Sequence, residues 1–346
     1  MSSTYFSPAG SYTPLLDPRE TEQAIKLVRD FFHLGLAEAL NLKRVTAPLF
    51  VPAGSGINDD LNGVEQPVRF AVKGLGGAEV EIVQSLAKWK RLTLAELGVY
   101  PGEGIYADMN AVRPDETLDE LHSVYVDQWD WERTILPEDR QVEFLKGMVR
   151  KIYRVLRRSE RAVADRYPEI APQLPAELTF VHAEGLEARW PELTPRERED
   201  AIACECGAVF IIGIGAPLRS GEPHDGRAPD YDDWITPNGA GCGLNGDLIV
   251  YYPLLDRGFE LSSMGIRVSP ETLREQLARR GQQERERLYF HHRLLAGELP
   301  LSIGGGIGQS RLCMLLLRKA HIGEVQVGVW PEAMLQTCRD RGIPLL

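Results

Sequence analysis

Apolar residues recur at helical spacing from Asp17 to Leu40, with Ile25, Val28, Phe32, Leu34 and Leu36 on the repeat, and predict one long helix. The next run, KRVTAPLFVP, reads as a strand interrupted by Pro48, which suits a sheet edge or a subunit boundary better than a sheet centre. VRFAVKGLGGAEVEIVQSLA reads as two strands joined by a glycine turn, AKWKRLTLAEL as a short helix, and GIYADMNAVRPDE as a strand entering a turn. A long amphipathic helix follows from Glu138 to Tyr167. Beyond it come strand-like ELTFVHAE, a charged helix around PRERED, the buried-strand pattern AVFIIGIG, and the strands GDLIVYYPLL and FELSSMGIRV. The last third holds helices at SPETLREQLARRG and LYFHHRLLAGE, the glycine run IGGGIGQS and an apolar helix, RLCMLLLRK. Strands arrive in neighbouring pairs rather than in strict β-α-β alternation. The expected fold is therefore α+β, a mainly antiparallel sheet flanked by helices. Residues 1–18 read as a loose lead-in and 19–346 as a single domain.

One stretch breaks the simple pattern. HSVYVDQWDWER, residues 122–133, is β-prone, and alternate side chains of a strand point to opposite faces. Tyr125, Asp127, Trp129 and Trp131 share one face; Val124, Val126, Gln128, Asp130 and Glu132 share the other. A strand whose polar face meets a ligand explains this, and so does an edge strand whose polar face meets water.

Composition narrows the partners. The 346 residues carry 39 Lys plus Arg against 50 Asp plus Glu, a net charge of −11, which repels phosphate backbones and makes nucleic acid an unexpected partner. No apolar run reaches membrane-spanning length, and MSSTYFSPAG lacks the basic start and apolar core of a signal peptide. Cys204, Cys206, Cys242, Cys313 and Cys338 form no disulfide-like framework, so a reduced, cytoplasmic protein with buried structural thiols is expected.

Four stretches concentrate chemistry. GSGINDDLNG sets Asp59 and Asp60 in a glycine-rich loop, where a solvated turn is an adequate account. QSLAKWKR offers Ser85 at the end of a strand and Lys90 near the start of a helix, where a lysine is either plain surface or a point charge for a carboxylate. Arg113 precedes a turn that returns toward Gln128 and Asp130, as a salt-bridge partner or as a fork for phosphate or carboxylate. Asp232, Asp247 and Glu260, from RAPDYDDW, GLNGD and FELSSMGIR, are three carboxylates without matching bases, either a set for Mg2+ completed by substrate phosphates or acids scattered on the surface. IGGGIGQSR is not a Walker A loop, because Gln-Ser-Arg stands where Gly-Lys-Ser/Thr belongs. Its glycines would let a flat ligand approach the backbone, with Arg311 at the entrance to the next helix. His122 and His182 read equally well as functional or as satisfied structural residues.

Taken in order, SLAKWKR, HSVYVDQWDWER, RAPDYDDW, FELSSMGIRV and IGGGIGQSRL closely resemble the ammonia-dependent asparagine synthetases (aspartate–ammonia ligases), relatives of the class II aminoacyl-tRNA synthetases. The resemblance runs from about residue 20 to the end. It implies that helix, strand and Pro48 form motif 1 at a homodimer interface, that Arg113-Pro-Asp-Glu116 with VDQWDWE is motif 2, and that GGGIGQSR is motif 3. The implied reaction takes L-aspartate, ammonia and ATP through β-aspartyl-AMP to asparagine, AMP and pyrophosphate. Arg113 would then hold the α-phosphate, Arg311 would lie at the adenine or the phosphates, and Leu121 and Arg227 would belong to the nucleotide site. Asp247 and Glu260, with Asp232 as a third candidate, would carry Mg2+. Asp59, Gln128 and Asp130 resemble the group around the substrate ammonium; Lys90, Ser85 and Ser263 resemble the group around its carboxylates. Asp59 is also a candidate for deprotonating incoming ammonium.

This chain departs from the family pattern in a longer lead-in, in Ser55 where an acid is expected, in a short TPNGAGCGLNGD loop, and in Gln84 where a histidine is expected. An aspartyl- or asparaginyl-tRNA synthetase would share the activation step but normally adds an anticodon-binding domain, for which no segment is left over. A non-catalytic sensor would have little reason to retain Lys90, Arg113, Asp247, Glu260 and Arg311. A glutamine-dependent synthetase is not expected either, since Met-Ser-Ser stands where a cysteine nucleophile would begin the chain.

Overall fold

Asp17 starts the first helix, α1 (Pro18–Leu40), through a capping box: its carboxylate accepts from the Glu20 amide at 2.8 Å, and Glu20 reaches back to the Asp17 amide at 3.2 Å. The computed structural model describes residues 12–59, 61 and 65–346. Among these, the strands are β1 (Leu42–Arg44), β2 (Phe50–Pro52), β3 (Arg69–Val72), β4 (Ala78–Ile82), β5 (Gly104–Val112), β6 (Tyr125–Thr134), β7 (Thr179–His182), β8 (Ala208–Ile212), β9 (Asn245–Tyr252), β10 (Arg257–Ile266) and β11 (Ser302–Gly308). Eight form one sheet in the order β1-β5-β6-β11-β10-β9-β8-β7. It is antiparallel except at its two ends, where β1 pairs with β5 and β7 with β8 in parallel. The other three make a small antiparallel sheet, β2-β4-β3. Pro48 thus separates strands of two different sheets.

The helices after α1 are α2 (Ala87–Glu96), α3 (Val142–Arg166), α4 (Ala183–Arg189), α5 (Pro195–Cys206), α6 (Pro270–Arg279), α7 (Tyr289–Leu295), α8 (Gln309–Leu316) and α9 (Glu332–Asp340). One large core joins the sheet to residues of α1, α3 and α8. Trp129 and Trp131 of β6 are both buried in it, Trp129 with its ring 5.1 Å from that of Phe32 on α1. Each such burial contributes on the order of 2–3 kcal/mol, enough to fix which face of β6 turns inward. The opposite face is thereby committed to Gln128, Asp130 and Glu132.

The glycine run forms β11, between β6 and β10, and leads directly into α8. Gly304, Gly306 and Gly308 stand opposite Glu132, Asp130 and Gln128. A Cβ on Gly304 would collide with the Glu132 carboxylate, and one on Gly306 with the Gln128 amide oxygen. The alternate glycines therefore exist so that long polar side chains of β6 can lie across the neighbouring strand.

Several expectations change. The described part of the lead-in is docked: Leu16 is fully buried, and the Tyr12 hydroxyl donates to Glu324 at 2.8 Å. Ser85 lies beyond β4, on the approach to α2, where its hydroxyl accepts from the Ala87 amide at 3.1 Å. Leu34, on the apolar repeat of α1, is 62% exposed. Helices α4 and α9 were not anticipated. Only Cys313 and Cys338 are buried; Cys204 is exposed, and Cys206 and Cys242 are half-buried.

Candidate active site

The polar face of β6, the glycines of β11 and the facing part of β10 form the floor of a cavity of about 350 Å³. The antiparallel registers line up Asp130, Gly306, Ser263 and Asp247 as one row across four strands. A β-bulge between Glu260 and Ser262 re-aims the first part of β10 at the end of the row. Walls come from Asp59 and Ser85 on one side, Arg113 and Leu121 at the β5–β6 connection, Arg227 and Asp232 on the loop before β9, and Arg311 in the first turn of α8.

Among the described residues, four buried polar atoms without a hydrogen-bond partner belong to residues that line the cavity. Arg113 Nε and Arg227 Nε are donors in that state; Asp130 Oδ2 and Gln84 Oε1 are acceptors. Buried polar groups are almost always satisfied, so opposite-polarity orphans facing one cavity describe a ligand with both acidic and basic ends.

The comparisons with known proteins point the same way. A family model described as aspartate-ammonia ligase matches residues 19–342. The chain is 56% identical over 344 residues to the aspartate–ammonia ligase of Bacteroides thetaiotaomicron, covering 99% of this chain and 100% of that protein, and 57% identical over 346 residues to the one from Parabacteroides distasonis, with the same coverage. The chain belongs to the aspartate–ammonia ligase family. Similar solved structures are the asparaginyl-tRNA synthetases of Entamoeba histolytica (12% identity, TM-score 0.68, covering 91% of this chain and 68% of that one) and Pyrococcus horikoshii (13%, 0.67, 90% and 70%), both complexed with asparaginyl-adenylate. At that identity they establish the fold, which is that of the class II aminoacyl-tRNA synthetases. Coverage by the ligases of Bacteroides and Parabacteroides takes in the lead-in, so its length is no departure from those relatives.

For this family member, the structure brings together most of the residues expected from sequence. Asp59, Ser85, Arg113, Leu121, Gln128, Asp130, Arg227, Asp232, Glu260, Ser263 and Arg311 all line the one cavity. Asp60 lies outside the described residues. Asp59 is buried, and its carboxylate accepts from the Leu61 amide at 3.1 Å. Arg311 reaches the Glu260 carbonyl at 3.1 Å and its carboxylate at 3.5 Å.

Two residues stand behind the wall. Lys90 does not reach the cavity: its ammonium is 1% exposed and donates to Asp130, to the Trp131 carbonyl at 3.0 Å and to the Gly305 carbonyl at 3.1 Å. All three of its protons are thus taken by the protein, and it positions Asp130 rather than presenting a free charge to a substrate carboxylate. Burial pushes its pKa down, against the pull of Asp130 and Glu132. Asp247 is screened by Arg227, whose guanidinium pairs with it and also donates to the Ser263 hydroxyl at 2.6 Å.

Nor do the three supposed metal carboxylates converge. Asp232 is fully buried and pairs with Arg267, with Arg227 Nε 3.7 Å away. No group of three or more His, Cys, Asp or Glu side chains arranged for a metal occurs among the described residues. Asp247 and Glu260 remain as candidates. Burial and then Glu260 and Asp225 push the Asp247 carboxyl up to about 7 in spite of Arg227. Burial would also raise Glu260, but Arg311, Arg227, His122 and Arg113 outweigh it and hold that carboxyl below its usual range. Of the two, Glu260 lines the cavity and Asp247 is open to a cation only where Arg227 turns aside; together they are what the chain could offer Mg2+, which keeps waters and substrate oxygens for the rest of its shell.

Sequence reasoning missed the pivot of this network. Arg267 is 3% exposed and grips Glu132 through Nε at 3.0 Å and Nη2 at 2.9 Å while its other nitrogen meets Asp232. Burial would raise Glu132, and Arg267 and Lys90 more than offset it, so it stays ionised. The available signal was an arginine standing between Ile266 and Val268 at the end of an apolar strand. His122 also lines the cavity and is held by Asp119 at 2.7 Å. His182 is structural: it caps α4 and lies 3.0 Å from the Cys242 carbonyl.

Proposed function

We propose that this protein joins L-aspartate and ammonia to give L-asparagine, activating the β-carboxylate with ATP as β-aspartyl-AMP and releasing pyrophosphate and then AMP. The observation that carries the reading, beside the family, is the cavity's polarity. Acceptor oxygens of Asp130 and Gln128 stand on its floor, and the guanidiniums of Arg113, Arg227 and Arg311 line its walls. Asp130, oriented by Lys90, takes the α-ammonium with its unpartnered Oδ2. Gln128, given room by Gly306, orients the same end, and Ser85 and Ser263 donate to the carboxylates.

The aspartate β-oxygen attacks the α-phosphorus; the new O–P bond forms as the bond to pyrophosphate breaks. Arg113, whose Nε is buried and unpartnered, offsets the charge that grows on the α-phosphate in that step. Arg311 covers the nucleotide over β10, and Leu121 packs on it. Mg2+ arriving with ATP would be held by Asp247 and Glu260, with Asp232 a third candidate only if Arg267 releases it, and would supply charge neutralisation to the phosphates. Asp59 receives the proton lost by the incoming nitrogen. Residues 19–346 act as one catalytic domain in the cytoplasm. The working form is a homodimer closed around Pro48, a reading supported by the exposed Leu34, Leu49 and Phe50 nearby.

Product analysis with magnesium-ATP and aspartate tests this directly. Asparagine and AMP should form in equal amounts with ammonium and hardly at all with glutamine in its place. Neither product with ammonium would overturn the proposal.

A further inference from the structure

One side chain on the cavity wall has no part in the roles above. Gln84 is fully buried and lines the cavity. Its Nε2 donates to the Asp59 carbonyl at 3.0 Å, its main-chain N–H donates to Asn58 Oδ1 at 2.9 Å, and its own carbonyl accepts from Arg113 Nη2 at 3.2 Å. These contacts also fix which way the amide points. Turned over, Oε1 would face the Asp59 carbonyl, acceptor against acceptor. Oε1 has no hydrogen-bond partner among the described residues.

We propose that Gln84 Oε1 receives the second substrate, ammonia; this rests on the ligase reading above. Its place beside Arg113 is the first reason. The carbon under attack is one oxygen away from the phosphorus that Arg113 holds, so the nucleophile must arrive on the Arg113 side. The α-ammonium of aspartate belongs with Asp130, on the floor. The neutrality of the amide is the second reason. Oε1 accepts an N–H from ammonia and leaves the nitrogen lone pair free, whereas a carboxylate there would favour ammonium, which has no lone pair to give. The lone pair forms the N–C bond, the C–O bond to phosphorus breaks with its electrons leaving on AMP, and one N–H proton passes to the Asp59 carboxylate. The nitrogen is left as the neutral amide of asparagine.

The test uses the full chain with Gln84→Leu. Initial rates are measured against ammonium chloride at saturating aspartate and magnesium-ATP, and aspartate-dependent exchange of pyrophosphate into ATP is measured without ammonium. Losing one hydrogen bond to the nucleophile should raise KM for ammonium about tenfold, with KM for aspartate and the exchange rate within about twofold of the parent. A raised KM for aspartate with ammonium unchanged would overturn the proposal. Gln84→Glu covers the case in which the leucine variant does not fold. Protonated, it donates to the Asp59 carbonyl as the amide does and keeps an oxygen at the Oε1 position, so KM for ammonium should stay within about threefold; ionisation sets oxygen against that carbonyl and retains ammonium, so the pH profile of the limiting rate should shift from the parent's. An unmoved pH profile, or a rise in KM as large as leucine's, would count against Gln84. Absence of aspartate-dependent exchange in the unsubstituted protein would instead remove the ligase reading itself.

Discussion

Replacing Lys90 with methionine removes a charge and leaves a stem of similar length. In the native fold that ammonium is 1% exposed, and all its donors serve Asp130 and the carbonyls of Trp131 and Gly305. The substitution strips Asp130 of its counter-charge in a place that water does not reach and takes a donor from two buried carbonyls. Breaking one side of a buried pair costs about 3–5 kcal/mol. Urea unfolding followed by tryptophan fluorescence should therefore show Lys90→Met less stable by about 3–5 kcal/mol. Aspartate-dependent pyrophosphate exchange should be lost with it, since Asp130 is no longer oriented. Lys90→Met combined with Asp130→Leu removes both charges and should recover at least half of the lost stability without restoring exchange. A single variant that loses less than about 1 kcal/mol would refute the reasoning, because that is the worth of a solvated surface pair.

Asp130→Asn should raise KM for aspartate on the order of 100-fold while leaving ATP binding, read by titration with a non-hydrolysable analogue, within a few-fold. Gly306→Ala places a methyl group against the Gln128 amide oxygen. It should weaken aspartate use about tenfold at a stability cost of about 1–3 kcal/mol, and unchanged aspartate kinetics would show that Gln128 is not held where the glycine leaves it. Asp247 has its carboxyl raised to about 7 from a reference of 3.8. Its proton is therefore held more tightly in the folded than in the unfolded chain. The stability it lends is complete below the unfolded value and is lost as pH rises toward 7. Asp247→Asn should consequently gain on the parent protein between pH 4 and pH 7 in urea titrations, and a difference independent of pH would contradict that sign.

Sequence periodicity carried far where one face of an element is apolar. The alternation in 122–133 located both the buried tryptophans and the polar face of β6 that lines the cavity, because a period of two leaves a strand no other way to bury Trp129 and Trp131. It failed where a residue's meaning depends on a distant neighbour. The glycines of β11 have poor strand propensity and pair as an inner strand only because β6 puts Gln128, Asp130 and Glu132 across from them. Lys90 looks like any helix-surface lysine until Asp130 is brought to it from 40 positions away. Arg267, flanked by Ile266 and Val268, gives no local sign of the two carboxylates it joins. The lead-in was read as loose because its anchors, Lys319 and Glu324, lie at the other end of the chain.

That last anchorage has a consequence for how the molecule is made. The Leu16 carbonyl accepts from the Lys319 ammonium at 3.2 Å, across 303 positions of sequence, and Tyr12 reaches Glu324 across 312. β6 likewise waits for β11 before the row of Asp130, Gly306, Ser263 and Asp247 exists. In synthesis the first helix meets β6 and α3, which cover much of its apolar stripe, well before the C-terminal anchors exist, and contacts of such separation close late. The floor of the cavity is therefore completed only once β11 has joined β6 and β10.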